Sequence, residues 1–388
     1  MNLELTEEQD LVIAMVRRFV REEILPLEFD LDPDADELHA ADRARLIEKT
    51  TAMGLYGLDI PPAFGGPDID LVTRTLIAVE MSQHRAGLYA PCYGTFGGAG
   101  LAQLFEATEE QKEKYLYPTL RGEKRGFFGL SEPSGGSDPA RAIQTKAVQD
   151  GDDWVINGGK LWISGADKAQ FGLVFARTAN DKGRNGVTCF IVDTDTPGFA
   201  VRRIVHTLRS AHYATELSFE DMRVPASNIL GELNKGFAIA NDRLTKQRIP
   251  YAAGCIGVAI KAQEMALEYV PQRETFGAPL SSRQSIQWML VDNDIDIKQS
   301  LWIILEAAAK AQQGEAFRKE AAMAKLVATE AGGRVVDRCM QMFGGLGVAK
   351  DLPFERWYRE MRIRRIGEGP SEVQRHVIAR ELLGASLR

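Results

Sequence analysis

Apolar residues recur at helical spacing near the N-terminus, at Val12, Met15, Val16, Phe19 and Val20. Thr6, with Gln9 three residues later, is suited to cap a helix that carries these side chains on one face, and Pro26 is expected to end it. The same spacing predicts further helices, at residues 42–53, 71–81 and 97–105. The first third of the chain is therefore predicted to be helical.

After residue 125 the pattern changes to short apolar and β-branched runs between turn sequences such as Asp-Gly-Asp and Thr-Pro-Gly. These runs predict strands at residues 146–148, 154–156, 171–175, 187–192, 199–204 and 216–219. Beyond Gly236 helical spacing returns, at residues 237–245, 251–269, 285–312 and 316–343 and in a final helix from Pro370.

This order predicts a mainly α protein with a central β domain. The expected division is an N-terminal helical domain (1–122), a middle β domain (123–235) and a C-terminal helical domain (236–388). Strands and helices do not alternate, which argues against a doubly wound dinucleotide fold. The glycines of residues 94–100 follow no predicted strand and carry little weight as a dinucleotide motif.

Composition narrows the function classes. The 388 residues are 45% hydrophobic and 26% charged, with a formal net charge of −7, which argues against a broad nucleic-acid-binding face. The sequence contains no run of about 18 apolar residues, so no membrane-spanning helix is predicted. The scattered Cys92, Cys189, Cys255 and Cys339 form no metal-ligand pattern, so buried, reduced thiols and no metal are expected. With no secretory signal at the N-terminus, a cytoplasmic protein is predicted.

Glu368 lies between Gly367 and Gly369, just before the final helix. Glycine on both sides lets a ligand approach the backbone closely, so Glu368 is a candidate general base. The alternative is a loop carboxylate that only favours the helix start through the helix dipole.

Three other stretches are candidates for ligand binding. Residues 129–138 (GLSEPSGGSD) offer free amides and small hydroxyls for a planar or phosphorylated ligand, or form a plain Gly/Ser loop. Residues 160–164 (KLWIS) place an indole beside a hydroxyl, which suits a flat ring system, although a half-buried strand tryptophan is commoner. Residues 341–348 (QMFGGLGV) end a helix with more glycine than a C-cap needs.

Together these stretches resemble the acyl-CoA dehydrogenase family over nearly the whole chain. Residues 129–138 are similar to its first signature, and residues 341–347 with Asp351, Arg356 and Glu360 are similar to its second. Glu368 and Gly369 stand where many members have the catalytic base. Residues 273–277 (RETFG) with Gln284 look like the segment that reaches the FAD of a neighbouring subunit.

The resemblance implies FAD as cofactor, a helix–β–helix architecture and a homotetramer built as a dimer of dimers. It implies cofactor contacts from Phe128, Leu130, Ser131, Gly136, Ser137, Trp162, Ile163, Ser164, Arg273, Phe276, Gln284, Gln341, Gly344, Gly345 and Ser371. It implies substrate contacts from Ser137, Lys246, Arg248, Gly367 and Gly369.

The implied reaction is α,β-dehydrogenation of an acyl-CoA to a 2,3-enoyl-CoA, with Glu368 removing the α-proton in an apolar, water-poor pocket. Some members carry the base on a helix, where this chain has Gln247, and this favours Glu368. Electron-transfer flavoprotein is the implied electron acceptor. The alternatives are an oxidase of the same fold, of the acyl-CoA oxidase or nitroalkane oxidase type, and a non-catalytic helical scaffold.

Several residues depart from the family pattern. Gly367 replaces a common tyrosine and is expected to widen the acyl pocket, and Pro370 replaces a flavin-contacting threonine. Arg141 stands where a small residue is usual. The basic run Arg359, Arg362, Arg364 and Arg365 is interpreted as ion pairing with neighbours such as Glu355 and Glu360 rather than as a phosphate site.

Overall fold

The computed structural model of the protein describes residues 5–35, 38–85, 102–180, 185–209 and 214–384. The chain folds into two compact units, one of Met1–Thr95 with Thr245–Arg388 and the other of Phe96–Leu244. The three-domain division inferred from the sequence stays a prediction.

The first helix, α1 (Glu7–Phe19), begins as predicted with Thr6 as N-cap and a capping box to Gln9. Its apolar face packs as expected, with Val16, Phe19 and Val20 buried. The prediction that Pro26 ends the helical run is wrong. The chain continues through a π-helical segment (Val20–Ile24) into α2 (Leu25–Asp30), where Pro26 lies in the first turn and its missing N–H is tolerated.

The helices that follow are α3 (Ala40–Ala52), α4 (Leu71–Met81), α5 (Glu109–Gln111), α6 (Tyr117–Leu120), α7 (Pro139–Ala142), α8 (Gly236–Tyr269), α9 (Gln284–Gln312), α10 (Arg318–Phe343), α11 (Gly345–Val348), α12 (Phe354–Arg364) and α13 (Ser371–Leu383). The helices predicted near α3, α4, α9, α10 and α13 are confirmed. Of the segment predicted at 97–105, residues 102–105 belong to a 3-10 turn (Ala102–Glu106), and 97–101 lie outside the described residues.

Two helices predicted on either side of Pro250 are one helix, α8. Proline inside a helix costs about 3 kcal/mol, which the sequence pattern takes as a break. The packing of α8 offsets this cost, because Ala252, Ala253 and Ile256 immediately after the proline are completely buried. Helix α12 was not predicted, since its basic residues hide the apolar spacing.

The β unit confirms every predicted strand and adds β1 and β8. The strands are β1 (Gly126–Gly129), β2 (Lys146–Asp150), β3 (Asp153–Ser164), β4 (Phe171–Arg177), β5 (Val187–Asp193), β6 (Phe199–Val205), β7 (Ala214–Pro225) and β8 (Ile229–Leu230). They pair in the order β6-β7-β3-β2-β4-β5-β8, and β1 pairs in parallel with β4. A single residue pair, Lys146 with Arg177, joins β2 to β4.

One apolar cluster fills the β unit. It takes side chains from both halves of the strand order, among them Trp154, Leu217, Val174 and Phe190. Alternation is clear at the start of β3, because Trp154 and Ile156 are buried while Val155 between them is half-buried and Asn157 is exposed. The end of β3 departs from this regularity at a register shift between Leu161 and Ile163.

Three of the four cysteines, Cys189, Cys255 and Cys339, are free and buried, as predicted, and Cys92 lies outside the described residues. Burial raises the pKa of the Cys255 thiol to about 11 and that of Cys339 to about 12. Among the described residues, every helix is too short or too polar to cross a membrane.

Candidate active site

Glu368 lies on the short connection between α12 and α13, in a backbone conformation that L-residues rarely adopt. Its φ is +54°, and that of the following Gly369 is +88°. A side-chain-bearing residue in the left-handed region costs roughly 1–2 kcal/mol, and such residues cluster at functional sites. Pro370 is the N-cap of α13 rather than a residue of its first turn. The connection therefore holds Glu368 in a conformation that the surrounding structure must enforce.

Two buried side chains enforce it. Nζ of Lys325, on α10, donates to the carbonyl oxygens of Arg365 (3.2 Å) and Gly369 (2.8 Å). Nε2 of Gln374, on α13, donates to the carbonyl oxygens of Glu368 (3.2 Å) and Gly369 (2.9 Å). Both side chains are completely buried. The loop carbonyls are thus fixed from two helices at once.

Two buried cations interact with Glu368. Arg248, on α8, is 6% exposed, and its Nε and Nη1 are buried without a hydrogen-bond partner in the described part of the chain. Burial lowers the pKa of Arg248 to about 10; nearby Arg318 acts in the same direction and Glu368 opposes it. Burial also lowers the pKa of Lys325 to about 8. The expected apolar lining around Glu368 is therefore incomplete, because two buried cations act on the same carboxylate.

Gly367 does not leave empty space in the direction of its missing side chain. A Cβ atom there would come within 2.6 Å of the Tyr251 hydroxyl. Tyr251 follows Pro250 on α8, and the Arg364 guanidinium lies 4.0 Å from its ring centroid. The widened pocket expected from Gly367 is at least partly filled by this phenol.

The loop of residues 129–138, in the β unit, is fixed by a buried ion pair. Nζ of Lys160 lies 2.7 Å from Oε1 of Glu132 and also donates to the carbonyl oxygens of Phe175 (2.6 Å) and Leu130 (3.3 Å). The Glu132 carboxylate accepts backbone N–H groups of Gln144 (2.6 Å) and Thr145 (3.1 Å). Lys160 and these donors hold the pKa of Glu132 below its usual range, although burial opposes them.

This anchored loop presents small, exposed groups. Gly136 and Ser137 are exposed, and a Cβ at Gly136 would meet nothing within 4 Å. Phe128 is half-buried between the Phe175 ring and the Arg243 guanidinium, at 5.0 and 4.2 Å between centres. Leu130 is buried, and Ser131 is half-buried with its carbonyl oxygen accepting the N–H of Leu161 at 2.9 Å. Arg141 pairs with Asp138 at 3.0 Å on the exposed side of the loop.

Trp162, in the β unit, is a second predicted site residue with a strained backbone, after Glu368. It lies at the register shift of β3 with a φ of +65°, and its side chain is 56% exposed rather than half-buried in the sheet. A bulge re-aims a side chain, here an indole, out of the sheet surface. Ser164 is exposed, whereas Ile163 is buried in the core. Of Ile163, only the backbone is available to a cofactor.

The segment of residues 273–284 forms a hairpin that projects an aromatic ring. Strands β9 (Glu274–Thr275) and β10 (Ala278–Pro279) pair across Phe276 and Gly277, both of positive φ. The Phe276 side chain is 100% exposed. Other predicted cofactor residues of this unit are also exposed: Arg273, Gln284, Gln341, Gly344 and Gly345.

Family models cover almost the whole chain. Residues 6–123 match the N-terminal domain of acyl-CoA dehydrogenases, residues 127–222 the middle domain and residues 234–383 the C-terminal domain. The chain belongs to the acyl-CoA dehydrogenase family. This confirms the resemblance inferred from the sequence, and it makes the protein an FAD-dependent oxidoreductase.

Relatives agree over the full length. A probable acyl-CoA dehydrogenase of Bacillus subtilis, YngJ, is 39% identical over 99% of this chain and 100% of its own. A short-chain specific acyl-CoA dehydrogenase of Clostridium acetobutylicum is 37% identical over 98% of this chain and 99% of its own. The solved butyryl-CoA dehydrogenase of Megasphaera elsdenii is 32% identical, with a TM-score of 0.85 over 99% of this chain and 100% of that one. The predicted fold, mainly α with a central β domain, is confirmed.

The described residues of this acyl-CoA dehydrogenase fit FAD. Trp162 offers an exposed indole, Ser164 is exposed with its hydroxyl, and Gly136 has open space where a Cβ would stand, and a flat ring with polar edges can use such groups. Ser371 fits less well, because it is 5% exposed and its hydroxyl donates to Oε1 of Glu330 at 2.6 Å. Its role toward the cofactor stays a prediction.

Lys246 and Arg248, both predicted to contact CoA, differ in their surroundings. Lys246 is exposed, whereas Arg248 is buried and interacts with Glu368. Two positions along a helix correspond to about 200°, so the side chains point to different sides of α8. The contacts of both residues with CoA stay predictions, and Arg248 also interacts with Glu368.

The basic run has three different environments. Arg359 pairs with Glu355 at 2.9 Å, as predicted, but Arg365 pairs with Glu330 and Arg364 is buried beside Tyr251. Arg362 is exposed.

Lys325, Glu132 and Tyr251 were not singled out from the sequence. For Lys325 a signal existed, because it interrupts a run of apolar positions in α10 that includes Ala321, Ala324 and Ala328. A lysine on a buried helix face is rare unless its charge or its donors are used.

Proposed function

We propose that this acyl-CoA dehydrogenase converts a short-chain acyl-CoA to the 2,3-enoyl-CoA, with Glu368 as the base that removes the α-proton. The observation that carries the assignment is the Glu368 loop, in which a carboxylate with a φ of +54° is fixed by Lys325 and Gln374. A loop carboxylate that only favoured the start of α13 would need neither the strain nor two buried anchors.

The residues of the chain supply the proton transfer and its orientation. Glu368 takes the α-proton, and its backbone N–H donates to the thioester carbonyl oxygen, where negative charge develops. Gln247, half-buried one residue before Arg248, has no carboxylate and is no rival base. FAD, when bound, supplies the two-electron acceptor for the β-hydride. Trp162 would cover the cofactor ring and Ser164 would donate to its edge.

A short acyl chain is supported by two relatives. The protein from Clostridium acetobutylicum is described as short-chain specific, and that from Megasphaera elsdenii as a butyryl-CoA dehydrogenase. Butyryl-CoA is therefore the first substrate to test.

Glu368→Gln tests the base. The variant should keep its yellow FAD but lose anaerobic bleaching by butyryl-CoA by about 10²- to 10⁴-fold, the usual contribution of a general base. Glu372→Gln, an exposed carboxylate in the first turn of α13, is the matched control and should bleach like the parent. Bleaching of Glu368→Gln at the parent rate would refute the assignment.

The electron acceptor is the finer part of the proposal. We assign electron-transfer flavoprotein, as the family resemblance implies, and the oxidases of the same fold remain the alternative. Turnover that depends on added electron-transfer flavoprotein supports this assignment. Rapid oxygen uptake with release of peroxide supports the oxidase.

Assembly as a homotetramer is supported by apolar side chains exposed on one unit. Helix α9 exposes Trp288, Val291, Ile295 and Trp302, and the hairpin exposes Phe276. A second copy of the chain would cover such a surface. Sedimentation at the mass of four chains would support the tetramer, whereas a monomer at micromolar concentration would contradict it. The cytoplasmic location inferred from the sequence stays a prediction.

A further inference from the structure

The side chain missing at position 367 is replaced in space by that of another residue. Gly367 is not among the positive-φ glycines, so its backbone would accept a side chain. A side chain at position 367 is opposed by Tyr251. The Tyr251 hydroxyl oxygen lies 2.6 Å, and its Cζ 3.7 Å, from the position that a Cβ of residue 367 would take. The first distance is a clash and the second an ordinary contact, so a single oxygen atom, at the end of the Tyr251 side chain, must shift before alanine fits at position 367.

Tyr251 is held where it makes this contact. The Arg364 guanidinium lies 4.0 Å from its ring centroid, and Nζ of Lys325 lies 5.9 Å away. A cation over an aromatic face attracts the ring and so restrains its position. Lys325 also anchors the Glu368 loop, so the ring and the loop share a support. Tyr251 is half-buried, which leaves part of the side chain open to a ligand.

We propose that Tyr251 is a specificity-determining residue: it supplies, from α8, the wall of the acyl site that residue 367 lacks. The inference rests on the proposed function, because a wall beside Glu368 faces the acyl group only if Glu368 takes the α-proton. Tyr251 then limits the width available at the carbons next to the thioester. The enzyme selects straight, short acyl groups through this phenol, and Gly367 accommodates the hydroxyl rather than a branched substrate.

The test is a double-mutant cycle of Tyr251→Phe and Gly367→Ala, read as kcat/KM for butyryl-CoA and isobutyryl-CoA and as FAD content. Gly367→Ala alone should lower kcat/KM for butyryl-CoA about tenfold or more, because the new methyl group displaces the hydroxyl or the loop. Adding Tyr251→Phe should restore most of it, since the Cβ then has only ordinary contacts, with Cζ at 3.7 Å and with the Ile363 carbonyl oxygen at 3.8 Å. Tyr358→Phe, an exposed phenol of α12, is the matched control.

Tyr251→Ala tests the width directly. Its ratio of kcat/KM for isobutyryl-CoA to that for butyryl-CoA should rise about tenfold over the parent, the usual discrimination for one methyl-sized group. An unchanged ratio in a variant that retains FAD would overturn the wall role, even if its thermal stability fell. If Tyr251→Ala does not fold, the double-mutant cycle decides instead. The wall role is then overturned if the effects of Tyr251→Phe and Gly367→Ala on kcat/KM are additive.

Failure of the proposed function gives a different result. A parent enzyme whose FAD no acyl-CoA bleaches contradicts both the reaction and the wall. A parent that butyryl-CoA bleaches, with variants of unchanged selectivity and additive effects, contradicts the wall alone.

Discussion

Two buried lysines hold two candidate site loops in the same manner but in opposite electrostatic settings. Lys160, in the β unit, anchors the loop of residues 129–138 and is neutralised by Glu132 at 2.7 Å. Lys325, in the helical unit, anchors the Glu368 loop through two carbonyl oxygens, and Arg248 adds a second buried positive charge acting on Glu368. One anchor is paired with a carboxylate, whereas the other donates to carbonyl oxygens and interacts with a second buried cation.

The difference matches what each loop is proposed to do. A loop that presents backbone and hydroxyls to a cofactor needs rigidity, and a closed ion pair provides it. The loop of a base faces a reaction in which negative charge moves from the carboxylate to the thioester oxygen. Fixed cations nearby stabilise that charge wherever it lies, without reorganising.

Breaking the closed pair should have the largest effect. Lys160→Met leaves the Glu132 carboxylate buried with only two backbone N–H donors, and losing one partner of a buried pair costs about 3–5 kcal/mol. We expect the free energy of unfolding to fall by that amount in urea titrations and FAD content to fall with it. Lys146→Met, an exposed lysine on β2, is the control and should change little.

The double variant Lys160→Met/Glu132→Gln sharpens this prediction. Removing both charges should recover part of the loss, because no uncompensated ion remains in the interior. If Lys160→Met were as stable as Lys146→Met, the ion pair would not anchor the loop and the comparison would fail on the β side.

Much of the fold was predictable, and the site was predictable in outline. Helices and strands followed the apolar spacing, as in α1 and β3, and Glu368 and the glycine loops stood out by composition. The helix ends predicted at Pro26 and Pro250 were wrong. Tertiary packing offsets the local cost of these prolines, and the spacing of apolar residues contains no information about that packing. The anchors Glu132 and Lys325 and the contact of Tyr251 with Gly367 connect residues 28 to 116 positions apart, and no local pattern encodes such pairs.

The stability that Lys325 gives to the folded protein should depend on pH. Burial lowers the pKa of Lys325 from 10.5 to about 8, so between these values the unfolded chain holds a proton that the folded chain has released. Stability rises with pH wherever the unfolded state binds more protons. Relative to Lys325→Met, the free energy of unfolding of the parent should therefore rise by up to about 3 kcal/mol between pH 8 and 10.5, because the pKa of Lys325 falls from 10.5 to about 8 on folding.

Urea titrations of both proteins at pH 7.5, 9 and 10 measure this gain. At pH 7.5 Lys325→Met should be about 1–3 kcal/mol less stable than the parent, because two loop carbonyls lose a donor. Lys298→Met, whose exposed lysine pairs with Asp294 on α9, serves as control and should show no such pH dependence. A difference between parent and Lys325→Met that stayed constant over this range would mean that burial does not lower the pKa of Lys325, and the comparison would fail on the helical side.

The smallest expected effect concerns the left-handed backbone of Glu368, in the loop that Lys325 anchors. Glu368→Ala and Glu368→Gly both remove the carboxylate, but only alanine keeps a side chain at a φ of +54°. Glycine avoids a left-handed cost of roughly 1–2 kcal/mol and loses part of that gain through the larger entropy of its unfolded chain. The free energy of unfolding of Glu368→Gly should therefore be about 0.5–1 kcal/mol higher than that of Glu368→Ala. In the Lys325→Met background the gap should shrink, because a loop without its anchor can relax alanine out of the left-handed region. A gap that persists there would show that Gln374 alone enforces the conformation, so that the lysine acts on the charge of Glu368 and not on its backbone.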